Sequence, residues 1–215
     1  NAQGEETNCA TIATKFVNSN VDLIMANATQ AVISSATATS DIPIVGTSVT
    51  DYATALDISG WSGTTGRNIS GTSDLAPLSE QAAMLNELFP DAKNVGLLYC
   101  SAEANSQYQI DVIKEELEKL NYTCTAYSFV DSNDIASVVQ SAVNDNDVLY
   151  VPTDNTAASN TEVINNIAGE AGIPIIAGEA GICKGCGVAT LSISYYDLGY
   201  QTGKMAYEIL VNGAD

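Results

Sequence analysis

Short apolar runs alternate with longer amphipathic stretches along most of the chain. Segments 21–27, 42–47, 94–100, 124–130, 147–152, 173–178 and 188–194 read as strands. Several are unbroken Val/Ile/Leu runs, the pattern of strands covered on both faces. Between them lie helical stripes. Ile12, Ala13, Phe16 and Val17 make one, and Ile110, Ile113, Leu117 and Leu120 a second. Ile135, Val138, Val139 and Ala142 make a third, entered through Ser132-Asn133 as a cap. Val163, Ile164, Ile167 and Ala171 follow, and Leu198, Met205, Ile209 and Leu210 mark a last helix. Strand–helix–strand order with short links predicts parallel sheets and right-handed crossovers, an α/β fold.

The stretch 59–68 breaks this rhythm. It is rich in Gly, Ser and Thr and lacks periodicity, as a linker would. Five strands follow it, enough for an open sheet, whereas only two precede it, too few for a stable parallel sheet. The pattern predicts two α/β lobes. The first spans 1–71 plus 195–215, with a strand–helix–strand piece missing at its front and the final helix returning to it; the second spans 72–194.

Composition narrows the chemistry. The 215 residues carry 7 Lys plus Arg against 26 Asp plus Glu, a formal charge of −19. So acidic a surface argues against nucleic acid and anionic membranes as partners. A hydrophobic fraction of 46% with 15% charged residues is globular, not disordered. There is no histidine, which removes Ser-His-Asp and Cys-His nucleophiles, His-bearing zinc sites and imidazole acid/base work. The reading has no metal and no cofactor. No apolar run approaches the roughly 20 residues of a membrane span, and Asn1 opens no basic, apolar leader, so an export signal has been removed or was never there. Five cysteines cannot all pair with one another.

In open parallel sheets, ligands sit beyond the carboxyl ends of the strands, where loops lead into helix N-termini. Those positions hold Thr29 and Gln30, then Ser48, Thr50 and Asp51, then Ser101, Glu103 and Asn105, then Asp154, Asn155 and Thr156, and finally Glu179. Hydroxyls and helix N-terminal N–H groups can hold a carboxylate without any cation, and a lone acid can hold an ammonium. That is the complement of a zwitterion. The same residue types are also ordinary N-caps, so capping competes as an explanation at each position.

Several of these segments belong to a familiar pattern. Asn1-Ala2-Gln3-Gly4, the 21–24 strand with Ala28-Thr29, and Ile42-Pro43-Ile44-Val45 leading to Val49-Thr50-Asp51 are part of it. So are 68–74, Ser101-Ala102-Glu103-Ala104-Asn105-Ser106, Val151-Pro152-Thr153-Asp154-Asn155-Thr156, and the tail from Ala189 through Tyr195-Tyr196 to Ala206. Together they resemble the ABC-transporter substrate-binding proteins whose better-known members carry tryptophan or other aromatic amino acids. The resemblance implies a type I periplasmic-binding-protein fold with two Rossmann-like lobes, a hinge that closes, and a small zwitterion such as an aromatic amino acid trapped in the cleft. It implies a membrane permease as partner, no chemistry done on the ligand, and an extracytoplasmic place, as a cell-surface lipoprotein or in a periplasm. It makes Ser101, Glu103, Asn105, Asp154, Asn155 and Thr156 cleft residues faced by Thr29, Gln30, Ser48, Thr50 and Asp51. The ligand's carboxylate is expected at 101–105 and 154–156, its ammonium at Glu103 or Asp154. Relatives commonly have Pro where Gln30 stands and Asp or Asn where Ser194 stands, and Cys183 and Cys186 are not a family hallmark.

Two other functional classes compete. Cys100, at a strand's carboxyl end, is placed like the thiol of a cofactor-independent amino-acid racemase, with Cys183 as the second thiol. A ligand-sensing ectodomain is the other. Cys183-Lys184-Gly185-Cys186 invites a redox or metal reading, but no second pair completes a metal site; a local disulfide or two free surface thiols are the plainer outcomes. Trp61 either stacks on a ligand or covers a core edge, and Tyr195 and Tyr196 either line the cleft or pack a hinge.

Overall fold

The computed structural model describes residues 1–3 and 5–214; Gly4, within the 1–4 motif, and Asp215 lie outside them. The chain divides into two compact units, one of residues 1–75 with 194–215 and one of residues 76–193. All strand pairing in both is parallel.

In the first unit, β1 (Ile24–Asn27), β2 (Ile44–Val49) and β3 (Ile69–Ser73) form a sheet in that order. Helix α1 (Glu6–Asn18) packs on α2 (Thr29–Ala38), and α2 lies on β1 and β2. The final helix of the chain, Tyr195–Asn212, covers β2 and β3. Ile24, Val32, Ile44, Val49 and Ile69 make the core, joined by Tyr52 of the short α3 (Tyr52–Ala55).

Strand β3 runs across residue 71, where the sequence reading divides the lobes. Its residues, Ile-Ser-Gly-Thr-Ser, present one large apolar side chain, so the hydrophobic pattern is silent. Pairing makes the strand instead. Asn68 C=O accepts from Ile44 N–H at 2.9 Å, and Asn68 Nδ2 donates to Ile42 C=O at 2.7 Å. Gly71 is required by close approach: a Cβ there would lie 2.2 Å from Gly46 O and 2.1 Å from Tyr52 Oη. The β2–β3 register shifts between Gly46 and Val49, around Ser48 with its φ of 55°.

In the second unit, β4 (Asn94–Cys100), β5 (Thr123–Phe129), β6 (Val148–Val151), β7 (Ile175–Ala177) and β8 (Ala189–Thr190) form a sheet ordered β5-β4-β6-β7-β8. Successive strand residues point to opposite faces, and each face has its own core. Leu98, Leu149 and Val151 pack with Phe129, Val139 and Ile164. Leu97 and Tyr150 pack with Leu85, Ile113 and Leu117. The unbroken apolar runs are the signature of this double covering. One side is covered by α4 (Leu78–Leu88) and α5 (Ala104–Lys119). The other is covered by α6 (Ile135–Asp145), α8 (Thr161–Ala171) and α9 (Ala180–Cys186), after the single turn of α7 (Asn155–Ala158).

Three local readings change. The 188–194 run is a strand only at Ala189–Thr190, because Leu191 C=O is taken by the Gln81 side chain at 2.7 Å. Helix α9 carries Cys183 and Cys186 on its last turn, in a segment whose two glycines hide a helix from sequence reading. Helix α6 is entered at Asp134, with Asp131 Oδ1 accepting from Asn133 N–H at 2.8 Å, rather than through a Ser132-Asn133 cap.

Candidate functional site

The second unit places six predicted residues at the carboxyl ends of β4 and β6. Glu103 stands at the N-cap position of α5 but does not cap it. Its side chain reaches across to α7. Oε1 accepts from Thr156 N–H at 2.9 Å and Thr156 Oγ1 at 2.8 Å. Oε2 accepts from Asn155 N–H at 3.1 Å, Asn155 Nδ2 at 2.7 Å and Asn105 Nδ2 at 3.2 Å. A carboxylate has about four lone-pair sites, so this one is filled. The 155–156 N–H groups, read from sequence as a berth for the ligand's carboxylate, hold the protein's own.

Asp154, the other acid offered to an ammonium, is 1% exposed. Oδ2 accepts from Cys100 N–H at 2.7 Å and Oδ1 caps α7 through Ala157 N–H at 2.8 Å. It ties the end of β4 to the turn after β6. Burial, and then the Glu103 charge, push its carboxyl up to about 6, against the pull of the Ala157 and Cys100 N–H groups and the Ser106 hydroxyl. Glu179 caps α9, accepting from Gly181 N–H at 2.6 Å and from Ile182 N–H. Ser101 is exposed, its hydroxyl donating to Phe129 C=O at 3.2 Å.

Two glutamines missed at the sequence level fix this edge. Gln109 Nε2 donates to Thr153 C=O at 3.0 Å and its Oε1 accepts from Thr153 N–H at 3.1 Å, clamping the turn before Asp154. Gln81 Nε2 donates to Gly178 and Leu191 C=O while its Oε1 accepts from Tyr150 Oη at 2.6 Å. Both are buried to within 1%. The available signal was a polar residue inside an apolar helical stripe: Gln109 shares a face with Ile113 and Leu117.

In the first unit the polar groups are distributed differently. Thr50 is buried, with Oγ1 donating to Asp74 Oδ1 at 3.2 Å, and Tyr195 Oη donates to Asp74 Oδ2 at 3.2 Å. Asp74, outside the predicted set, is therefore the hub of this corner. Burial, aided by the Asp74 charge, pushes the Tyr52 phenol well above its ordinary value. Asp51 Oδ1 caps α3 through Thr54 N–H at 2.7 Å. Among the described residues, the side chains of Thr29, Gln30 and Ser48 make no hydrogen bond. Helix α2 has no side-chain cap, and the residue before it, Ala28, has φ 76° and ψ 160°. That region is close to glycine-only and costs about 1–3 kcal/mol. Strain and unspent donors thus coincide at the start of α2.

Cys100 is 1% exposed, with Sγ against Val130 C=O at 3.3 Å, and burial raises its pKa. A thiol so buried is little ionised at neutral pH, where a racemase thiol has to attack its substrate. Cys183 packs against the core beneath α9. Trp61 is 43% exposed and Tyr196 80%, and Ser194 Oγ caps the last helix, α10 (Tyr195–Asn212), through Asp197 N–H at 3.2 Å.

Residues 1–214 match the model of a family described as ABC transporter substrate binding protein. The chain belongs to that family. It is 37% identical over 210 residues to a tyrosine-binding protein of Clostridioides difficile (strain R20291), covering 98% of this chain and 61% of that one. It thus spans less than two thirds of that relative's length. Among solved structures, an ABC domain from Streptococcus pneumoniae in complex with L-Trp is 32% identical, with a TM-score of 0.93, over 99% of this chain and 73% of that chain. A conserved domain protein of Vibrio cholerae is 31% identical, with a TM-score of 0.92, over 97% of this chain and 70% of its own. The architecture, parallel sheets flanked by helices in each unit, is the type I periplasmic-binding-protein fold that the sequence motifs imply.

Proposed function

We infer that the protein captures a small zwitterion of the aromatic amino-acid class outside the cytoplasm and delivers it to the membrane permease of an ABC importer, leaving it chemically unchanged. The observation that carries this reading is the match of residues 1–214 to a substrate-binding family. The tyrosine-binding relative and the L-Trp complex support the ligand class. No nucleic acid enters the reading, and neither a cofactor nor a metal is part of it.

In the first unit, the ligand's carboxylate meets the free N–H groups that open α2 together with the Thr29 and Ser48 hydroxyls, and Gln30 adds an amide. A helix N-terminus favours an anion, which answers the scarcity of Lys and Arg. Asp51, with one oxygen spent on its cap, offers the other to the ammonium. In the second unit, Asn105 and Asn155 present their amide oxygens to a polar guest. Glu103, Asp154 and Glu179 act there as positioning residues that hold the loops, and Thr156 and Ser101 complete the rim.

The test is thermal stabilisation of the full-length protein across the amino acids, with chiral chromatography of recovered ligand. Stabilisation by tyrosine or tryptophan, with unaltered configuration, is the expected result. No stabilisation by any amino acid, or racemisation, overturns the reading.

A further inference from the structure

The Cys183-Lys184-Gly185-Cys186 motif stands outside the residues proposed for ligand capture, on the last turn of α9. Backbone bonds Cys183 N–H to Glu179 C=O at 3.0 Å and Gly187 N–H to Cys183 C=O at 2.9 Å keep α9 helical to its last residue. In a regular α-helix, Cα atoms three residues apart lie about 5 Å from each other. Disulfides span Cα separations of about 4.4–6.8 Å and hold the Cβ atoms about 3.5–4.5 Å apart, closer than the about 5–6 Å of a regular turn, so bridging tightens the end of the helix. Both thiols pack against the same core cluster, Cys186 being 9% exposed and Cys183 partly exposed. Gly187, where a Cβ would lie only 2.9 Å from Cys183 Cα, ends the helix directly after the pair.

We propose that Cys183 and Cys186 are a reversible disulfide site, with Cys183 the attacking thiol and Cys186 the resolving thiol, oxidised by exchange with a small-molecule disulfide. The Cys183 thiolate attacks one sulfur of that disulfide, and the other sulfur leaves as a thiolate. The Cys186 thiolate then attacks Cys183 Sγ, and the second small-molecule thiolate leaves. Two protein thiols thereby lose two protons and two electrons, and the partner disulfide gains both as two thiols. The bond closes the last turn of the helix whose first turn is capped by Glu179. Burial pushes the Cys186 thiol up to about 12 and also raises Cys183, so the exchange quickens as pH rises. None of this depends on which ligand the protein carries.

The experiment incubates the protein, with residues 1–215 intact, with glutathione disulfide in mildly alkaline buffer. The protein is then denatured in acid, alkylated and peptide-mapped by mass. The expected result is a peptide carrying Cys183 and Cys186 that is lighter by two hydrogens and takes no alkylating agent, while Cys9, Cys100 and Cys124 alkylate. C186S should hold a stable glutathione adduct on Cys183. Full alkylation of Cys183 and Cys186 at every glutathione disulfide concentration overturns the proposal, as does a bond from either to one of the other three cysteines. Because the mapping of the unaltered chain decides this, a poorly folding variant would not rescue the idea.

Discussion

Glu103 shows how a residue chosen for one chemistry is used for another. Sequence position makes it a ligand-facing acid after β4; geometry makes it the brace of α7, with donors on both oxygens. Glu103→Ala would leave those donors without their acceptor, at about 2 kcal/mol of stability, read by urea denaturation. Ala28 points the other way. Its backbone lies where glycine is comfortable, so Ala28→Gly should stabilise the fold by about 1 kcal/mol in the same assay while loosening the start of α2. Asp154 gives a pH signature. Its folded carboxyl is raised to about 6 from 3.8, so the native state holds the proton more tightly than the unfolded chain. Its contribution to stability therefore falls as pH rises from about 4 to about 6 and is flat above that. The stability difference between wild type and D154N, followed across that range, should decline with pH; a difference that rises instead would show that the donors around Asp154 outweigh its burial.

Among the elements, those with apolar periodicity were legible and those built from small or polar residues were not. The 94–100 and 147–152 runs announce β4 and β6 because both faces are covered, so the positions after Asn94 and Asp147 carry almost no polar side chain. β3 is invisible by the same logic, since its place depends on Gly71 fitting against Gly46 rather than on burying side chains. Gly71→Ala should cost about 3 kcal/mol by forcing β2 and β3 apart, measured by denaturation or loss of hydrogen-exchange protection in those strands. Helix α4 is pinned by one side chain. Gln81→Leu fills similar space but leaves two carbonyls and the Tyr150 hydroxyl unpaired in the core, a loss of about 3 kcal/mol. The caps at Asp51 and Glu179 were legible as ligand candidates or as caps, and the hydrogen bonds show the capping. Sequence alone could not separate these uses because both require the same oxygen after a strand.

For the whole molecule, charge is the dominant global property. With 26 acids against 7 bases, and ion pairs confined to Lys114–Glu118 and Lys119–Glu116 on the surface of α5 among the described residues, self-repulsion is largely unrelieved. Raising ionic strength from about 0.01 M to about 0.15 M shortens the screening length from about 30 Å to about 8 Å. The melting temperature should rise over that interval, a trend calorimetry would read directly. Solute stabilisation must therefore be compared at fixed salt.

By itself the sequence determined the α/β class, the parallel pairing of the strands and the family, because these follow from periodicity and from short motifs that are local in the chain. It also determined the absence of histidine chemistry, a matter of composition. Tertiary structure decided what each polar residue is for. Whether an oxygen after a strand meets a ligand or a neighbouring helix depends on which backbone N–H groups the folded chain brings within about 3 Å of it. In this fold Glu103 and Asp154 meet α7, while among the described residues Thr29, Gln30 and Ser48 make no side-chain hydrogen bond.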